Sequence, residues 1–252
     1  MALQEEFEQQ GIWLFRYRSF LPLIIIAIGI GLYINTEINP ETFFIKDTPY
    51  EFHYELFCLF VGLLGQFIRI FTIGHAPKNT SGRNVKGQVA DTLNTTGIYS
   101  IVRHPLYLGN FFMWLGPALL TGNFWFVTAF CFLFWVYYER IMFAEEQFLR
   151  KKFGMTYLFW SERVPAFIPN FKKYRQPVMT FSWKKVLKQE KNGFFNLFII
   201  FFAFDMAGEL INGTTNFNLT FLVGFIISSI AFLVLTFLKR RTSVLDEENI
   251  LR

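Results

Sequence analysis

The sequence predicts an all-α polytopic membrane protein with about six transmembrane helices and its functional face on the cytoplasmic side. Three observations predict this. Of 252 residues, 53% are hydrophobic and 20% aromatic, including 35 phenylalanines, a composition that belongs to a membrane protein. The apolar residues fall into six runs separated by polar loops. Of the 24 Lys and Arg, all but Lys46 and Arg69 lie at the two ends of the chain and in alternate loops, which places both termini and those loops in the cytoplasm. The formal charge of +5 is therefore a property of one membrane face, not of a nucleic-acid surface.

Residues 1–19 read as a polar tail, and Arg16 and Arg18 precede the first apolar run, 20–34. That is the charge order of a signal peptide, but Asn35, Thr36 and Glu37 follow where small residues would mark cleavage, so the run is read as a retained span. Gly29 and Gly31 within it suit close helix packing. An acidic loop, 35–51, leads to the second span, 52–73, with Arg69 near its end. Residues 74–104 are too polar to cross a bilayer. Spans three and four, 106–120 and 124–138, form a hairpin about Thr121, Gly122 and Asn123, each short of the roughly twenty residues a crossing needs. The fourth is expected to continue as a helix to residue 153. A basic stretch, 163–191, reads as a surface attracted to anionic headgroups. Spans five and six, 194–211 and 217–238, end at Lys239, Arg240 and Arg241, and Asp205 and Glu209 lie one turn apart in span five.

Three units follow: 1–51, the tail, first span and outer loop; 52–170, the core; and 171–252, a basic linker with two further spans. Cys58 and Cys131 both fall in apolar runs, so neither a disulfide framework nor a metal site is expected. His53 and His75 have no chemically suggestive neighbours.

The chemistry concentrates in residues 94–109, N-T-T-G-I-Y-S-I-V-R-H-P-L-Y-L-G. Pro105 suits the first position of a helix, since its missing N–H would be unsatisfied there. Arg103 and His104 then stand at the positive end of that helix, where an anion is stabilised. The answering segment carries Glu139, Arg140, Glu145 and Glu146. Glu146 has Arg150 one turn on as an ion-pair partner, whereas Glu145 has only apolar neighbours at helical spacing and must find a partner elsewhere. Arg140 lies within about 7.5 Å of Glu145 in axial rise.

The pattern G-x-Y-x-x-x-R-H-P-x-Y-x-G, then E-E-x-x-L-x-x-x-F-G-x-x-Y and V-P-x-x-I-P, resembles the membrane methyltransferases typified by isoprenylcysteine carboxyl methyltransferase and the phospholipid methyltransferases. It is carried by Gly97, Tyr99, Arg103 to Gly109, Glu145 to Leu149, Phe153, Gly154, Tyr157, Val164, Pro165, Ile168 and Pro169. The wording G-H-A-P-K-N-T-S-G-R-N and Y-Y-E-R-I-M-F-A-E-E is most similar to the bacterial branch that includes lipid A 1-phosphate methyltransferases. The resemblance implies S-adenosylmethionine as cofactor, with contacts from Asp91, Thr92, Leu93, Asn94, Tyr99, His104, Pro105, Leu106, Tyr107, Gly109 and Glu145. Asp91 stands where the family more usually has histidine. The catalytic residues expected are Arg140 as holder of an anionic acceptor, assisted by Arg103 or Arg83, together with Glu146.

The expected reaction is O-methylation of a lipid phosphate such as that of lipid A, in the bacterial inner membrane, with a bilayer lipid and no nucleic acid as partner. The alternatives are an isoprenylcysteine-type carboxyl or phosphatidylethanolamine N-methyltransferase, or a sterol-type NADPH reductase that would use Lys78, Arg83 and Lys86. A transporter, suggested by six spans with Asp205 and Glu209, leaves the motif unexplained.

Overall fold

A computed structural model describes residues 2–18, 20–77, 80 and 88–246. Arg83, Lys78 and Lys86, invoked above, lie outside the described residues. Eight α-helices form among those described: α1 (Leu3–Tyr17), α2 (Leu21–Ile38), α3 (Glu51–Gly74), α4 (Pro105–Leu120), α5 (Phe124–Phe153), α6 (Met155–Ser161), α7 (Trp183–Ile211) and α8 (Leu219–Arg241). The fold is all-α: apart from isolated bridge residues, among them the antiparallel pair Gly97 and Arg175, the described residues form no β-strand.

The ends of these helices follow local chemistry. Asn123, Ser182 and Asn218 each accept, through the side chain, a backbone N–H of the helix that begins after them. Pro105 opens α4. Gly154, at φ 54°, ends α5 in a conformation that favours glycine, and α6 turns away directly after it.

Helices α3, α5, α7 and α8 are long and apolar enough to cross a membrane, and α1 with α2, bent by 67°, makes a fifth if the pair is one span. The expected count of about six meets its difference at α4. With 16 residues this helix is about 24 Å long, shorter than a hydrocarbon core of about 30 Å. Its ends therefore lie at or inside the bilayer's edges.

Residues 3–17 are a helix where the sequence suggested a polar tail. Phe7, Gly11, Leu14 and Phe15 recur at helical spacing and make one face, which packs on α5. A Cβ at Gly11 would lie 2.1 Å from the Arg140 carbonyl oxygen, and Phe7 meets Phe143 edge-on at 6.0 Å. Lys151 pairs with Glu8 at 2.6 Å on the outer side of the contact.

Helices α3 and α4 pack most extensively. A Cβ at Gly65 would lie 2.3 Å from the Gly109 carbonyl, and one at Gly109 would lie 2.6 Å from Arg69 Cγ, so the two backbones touch where neither residue has a side chain. One core joins α2, α3, α7 and α8 through Tyr33, Leu59, Leu197, Phe201, Phe204 and Phe221. A second joins α1, α4 and α5 through Phe15, Tyr107, Phe130, Phe134, Tyr138 and Met142.

Asp205 and Glu209, near the end of α7, are engaged in its turn to α8. Asp205 accepts the Asn218 N–H at 3.0 Å, and Glu209 accepts from Thr214 Oγ1 at 2.6 Å and from the Asn216 N–H at 2.7 Å. On the same side Lys46 bridges Glu37 and Glu51 at 2.7 and 2.5 Å.

The orientation expected from the basic residues would put the α7–α8 turn outside. A cysteine at Thr215, exposed in that turn, is expected to react with a membrane-impermeant maleimide in intact cells, and one at Ser243, beyond α8, only after permeabilisation. Labelling of Ser243→Cys in intact cells would reverse the topology.

Candidate active site

At the start of α4 lies a cavity of about 330 Å³, walled by α1, α3, α4, α5, α6, α7 and the loop 88–104. Its floor is the loop–helix junction. Arg103 N–H donates to Pro165 O at 2.9 Å and His104 N–H to Ala166 O at 3.2 Å, and Asn170 N–H returns to Ile101 O at 2.9 Å. The segment around V-P-x-x-I-P is thereby stitched alongside the R-H-P segment.

Glu146 closes the junction from α5. Its Oε1 accepts from Arg103 Nε and His104 Nε2, both at 2.8 Å. A carboxylate only accepts, so Nε2 carries the hydrogen. Arg103 is further committed through NH1 to the carbonyls of Ser161 and Val164 at 2.7 and 2.8 Å. The His104 ring, 6% exposed, has Glu145 Oε2 3.7 Å from its other nitrogen and stacks on Tyr107 at 5.7 Å.

Of the residues singled out in the sequence, Thr92, Leu93, Asn94, Tyr99, Arg103, His104, Pro105, Leu106, Tyr107 and Glu145 line the cavity. Four are placed differently. Asp91 is exposed beside the wall and outside it. Gly109 is the contact point of α4 with α3. Glu146 supports the wall from behind and pairs with Arg103 and His104 instead of Arg150, because it faces the loop rather than its own next turn. Arg140 lies away from the cavity: its guanidinium covers the Phe7 ring at 3.5 Å and NH1 pairs with Glu139 at 3.1 Å. Axial rise suggested proximity to Glu145, but five residues rotate a helix by about 140°, which turns Arg140 toward α1.

The structure adds walls that the motif did not name. Arg18 comes from the end of α1, Arg69 from α3, Gln189 from α7, and Gln88, Asn110 and Trp160 join them, beside Tyr157 of the motif. Arg69 is held by Glu190 of α7, through Nε and NH2 at 2.8 and 2.7 Å, while NH1 donates to Asn110 Oδ1 at 2.7 Å. Gln66 adds a bond to the same carboxylate at 3.1 Å. An arginine inside an apolar span was the available signal for this group.

Among the described residues, two buried polar atoms of the cavity residues have no hydrogen-bond partner, Tyr157 Oη and Gln88 Nε2. Orphaned groups of this kind cost free energy unless a ligand or water meets them. Burial and the Glu146 carboxylate raise the Tyr157 phenol above its usual range, and burial and Glu145 raise that of Tyr99. Both stay neutral at physiological pH and serve as donors and aromatic faces.

Residues 58–156 match the family model described as phospholipid methyltransferase. The chain is similar to protein-S-isoprenylcysteine O-methyltransferases: 36% identical over 108 residues to that of Schizosaccharomyces pombe, covering 42% of this chain and 45% of the relative. The corresponding figures for that of Saccharomyces cerevisiae are 33% over 115 residues, covering 44% and 47%. It is also 30% identical over 117 residues to the cobalt-zinc-cadmium resistance protein CzcN of Cupriavidus metallidurans, covering 46% and 51%. The matches thus span about half the length of these relatives. No solved structure matches.

Removing the charge that Glu146 offers to both Arg103 and His104 is expected to loosen the junction. Glu146→Gln should cost about 1.5–3 kcal/mol, the worth of a charge-assisted hydrogen bond, and lower the unfolding midpoint in detergent. An unaltered midpoint would mean that the clamp contributes nothing to stability.

Proposed function

We propose that this chain is an integral-membrane methyltransferase that takes its methyl group from S-adenosylmethionine and places it on an anionic oxygen of a membrane-borne acceptor. The observation that carries the reading is the cavity at the start of α4. It gathers the aromatic faces of Tyr99 and Tyr107 and the carboxylate of Glu145, all within the part of the chain that matches the methyltransferase family, and two buried polar atoms unpartnered among the described residues.

The donor set fits the cofactor. A sulfonium is attracted to aromatic faces, which Tyr99 and Tyr107 supply. Glu145 suits an ammonium or ribose hydroxyls. The first-turn N–H groups of α4 suit a carboxylate. Tyr157 Oη and Gln88 Nε2 offer hydrogen bonds to a polar heterocycle. Bound there, S-adenosylmethionine supplies an electrophilic methyl group: the acceptor oxygen forms the new C–O bond as the C–S bond breaks, and the neutral thioether leaves with the electron pair.

An acceptor carboxylate or phosphate is already a nucleophile at neutral pH, so the protein has to hold it in line and needs no base. Arg103 has its fork taken up by Glu146 and two carbonyls, and Arg140 faces α1. Arg69, which lines the cavity, suits the role. Its fork is fixed by Glu190 and Asn110, and its remaining N–H groups can donate to an anionic oxygen. Of the two oxygen acceptors, the carboxylate is favoured over the lipid A phosphate, because the similar enzymes are named S-isoprenylcysteine O-methyltransferases. The positive-inside charge distribution supports a cavity on the cytoplasmic face, where the donor is available.

Calorimetry with S-adenosylmethionine tests the cofactor site: Glu145→Gln is expected to weaken binding roughly ten- to a hundredfold. For the acceptor, Arg69→Lys should lose most turnover on a farnesylcysteine analogue with donor affinity retained, while Arg140→Gln stays near wild type. Loss with Arg140→Gln alone would restore the acceptor role to Arg140. Unchanged donor affinity in Glu145→Gln would remove that residue from the site, and NADPH binding in place of S-adenosylmethionine would remove the proposed activity.

A further inference from the structure

A second cavity, of about 580 Å³, adjoins the first, and Trp160 belongs to both walls. Four cations line it, Arg163, Lys172, Lys173 and Arg175, with the hydroxyls of Thr95 and Thr156 among them and no Asp or Glu. All four basic residues are exposed, and no acidic partner is recorded for any of them among the described residues. Their backbone is nonetheless fixed. Arg175 N–H donates to Ser100 Oγ at 2.8 Å, Gly97 N–H donates to Arg175 O at 3.0 Å, Lys172 N–H is capped by Asn170 Oδ1 at 3.2 Å, and Lys173 Nζ reaches Arg163 O at 2.5 Å.

Depth argues for what occupies it. The cavity is built on Ser100 and Thr95, within ten residues of the start of α4, and α4 is too short to carry its end clear of the hydrocarbon. Phe167, between the cavity residues Val164 and Lys172, packs on Phe111 of α4 and Trp135 of α5 at 6.0 and 5.4 Å, so this loop lies against the helices themselves. Around the cations Phe159, Ile168 and Phe171 are 55%, 78% and 75% exposed, apolar side chains that water would not favour and an interface would accept. A rim of exposed apolar groups about an acid-free basic cavity at headgroup depth fits one class of ligand.

We infer that this second cavity is a binding site for the phosphate-bearing headgroup of an anionic membrane lipid, distinct from the methyl-transfer site and adjoining it through Trp160. Trp160 Nε1 donates to the Tyr99 carbonyl at 3.2 Å, and Arg175 holds Ser100, the next residue. A headgroup in the second cavity therefore rests on the backbone that carries Tyr99 into the first. The assignment stands on charge, shape and depth and does not require the methyltransferase reading.

The test is lipid binding by the purified full chain in nanodiscs of phosphatidylcholine with and without phosphatidylglycerol, read as retained lipid by native mass spectrometry. Lys172→Gln/Lys173→Gln/Arg175→Gln is expected to lower phosphatidylglycerol affinity roughly a hundredfold, at about a tenfold or less per basic group. Removal of the same number of charges from the end of α8, Lys239→Gln/Arg240→Gln/Arg241→Gln, should change it less than threefold. Equal loss in both variants would show diffuse surface attraction and overturn the site. Displacement of the lipid by millimolar inorganic phosphate alone would make it a soluble-phosphate site, and tighter retention of an acidic peptide than of the lipid would make it a protein-docking site; either result overturns the proposal. Because S-adenosylmethionine binding is measured separately on the same variants, failure here leaves the cofactor reading standing, and failure there leaves this one.

Discussion

A single carboxylate holds one end of the core together. Glu146 reaches from α5 to two consecutive residues that precede α4, and both bonds end on the same oxygen at 2.8 Å. The chain between α3 and α4 is long and polar, with few apolar groups of its own to fix it. Its last residues are set by three constraints together: the Glu146 clamp, the carbonyls of Ser161 and Val164 that receive Arg103, and the backbone bonds to Pro165 and Ala166. Remove the carboxylate, and a guanidinium and an imidazole at the membrane edge keep their desolvation without their anion. The placement of Tyr99, His104 and Tyr107 in one wall depends on this arrangement.

A second constraint acts one layer deeper. Because Gly65 and Gly109 let α3 and α4 touch, Arg69 is pressed alongside α4 and can meet Asn110 of that helix while its fork turns to Glu190 of α7. A fully charged arginine within a span is costly alone, and the bidentate carboxylate is what makes it tolerable. Helix α7 is further tied to the end of α3, where Lys185 donates to the carbonyls of Ala76 and Pro77, Ser182 N–H to Gly74 O at 2.9 Å, and His75 Nδ1 to Met179 O at 2.9 Å. Although α7 lies beyond the residues that match the family, it fixes a charged group in the cavity wall. This gives α7 a physical role that hydropathy alone did not suggest.

What the sequence made legible was the part governed by one-dimensional rules. Apolar runs marked the long helices, Pro105 marked the start of α4, and the spacing of R-H-P and E-E segments marked the two sides of one cavity. It failed wherever rotation or tertiary approach decided the outcome. Arg140 is near Glu145 along the axis and on another face around it. Glu146 had a helical partner in Arg150 and found better ones across the loop. Gly109 sits inside the motif, yet its service is to helix packing. Residues 3–17 are polar in sum, and only their period of three to four shows the face that covers α5. Arg69 and Glu190 are 121 residues apart, a pairing that no local pattern announces.

The position of the cavity answers a solvent problem. On the proposed function, one reactant is a charged, water-soluble cofactor and the other is anchored in hydrocarbon, so their reacting atoms can meet only where a polar loop enters the bilayer's edge. A helix of 16 residues beginning with proline creates such a place. Its N-terminal N–H groups lie below the level of a full-length span, and α5, with 30 residues, stands beyond it and carries Glu145 back to the cavity and Glu146 behind its wall. Helix α6, started by the left-handed Gly154, folds Tyr157 and Trp160 across the remaining side. The mismatch between a short α4 and a long α5 is thus what makes a water-facing pocket at membrane depth, and the same mismatch exposes the loop from Val164 to Arg175 to headgroups. A charged ligand in one cavity and a lipid phosphate in the other would be consequences of that one difference in helix length.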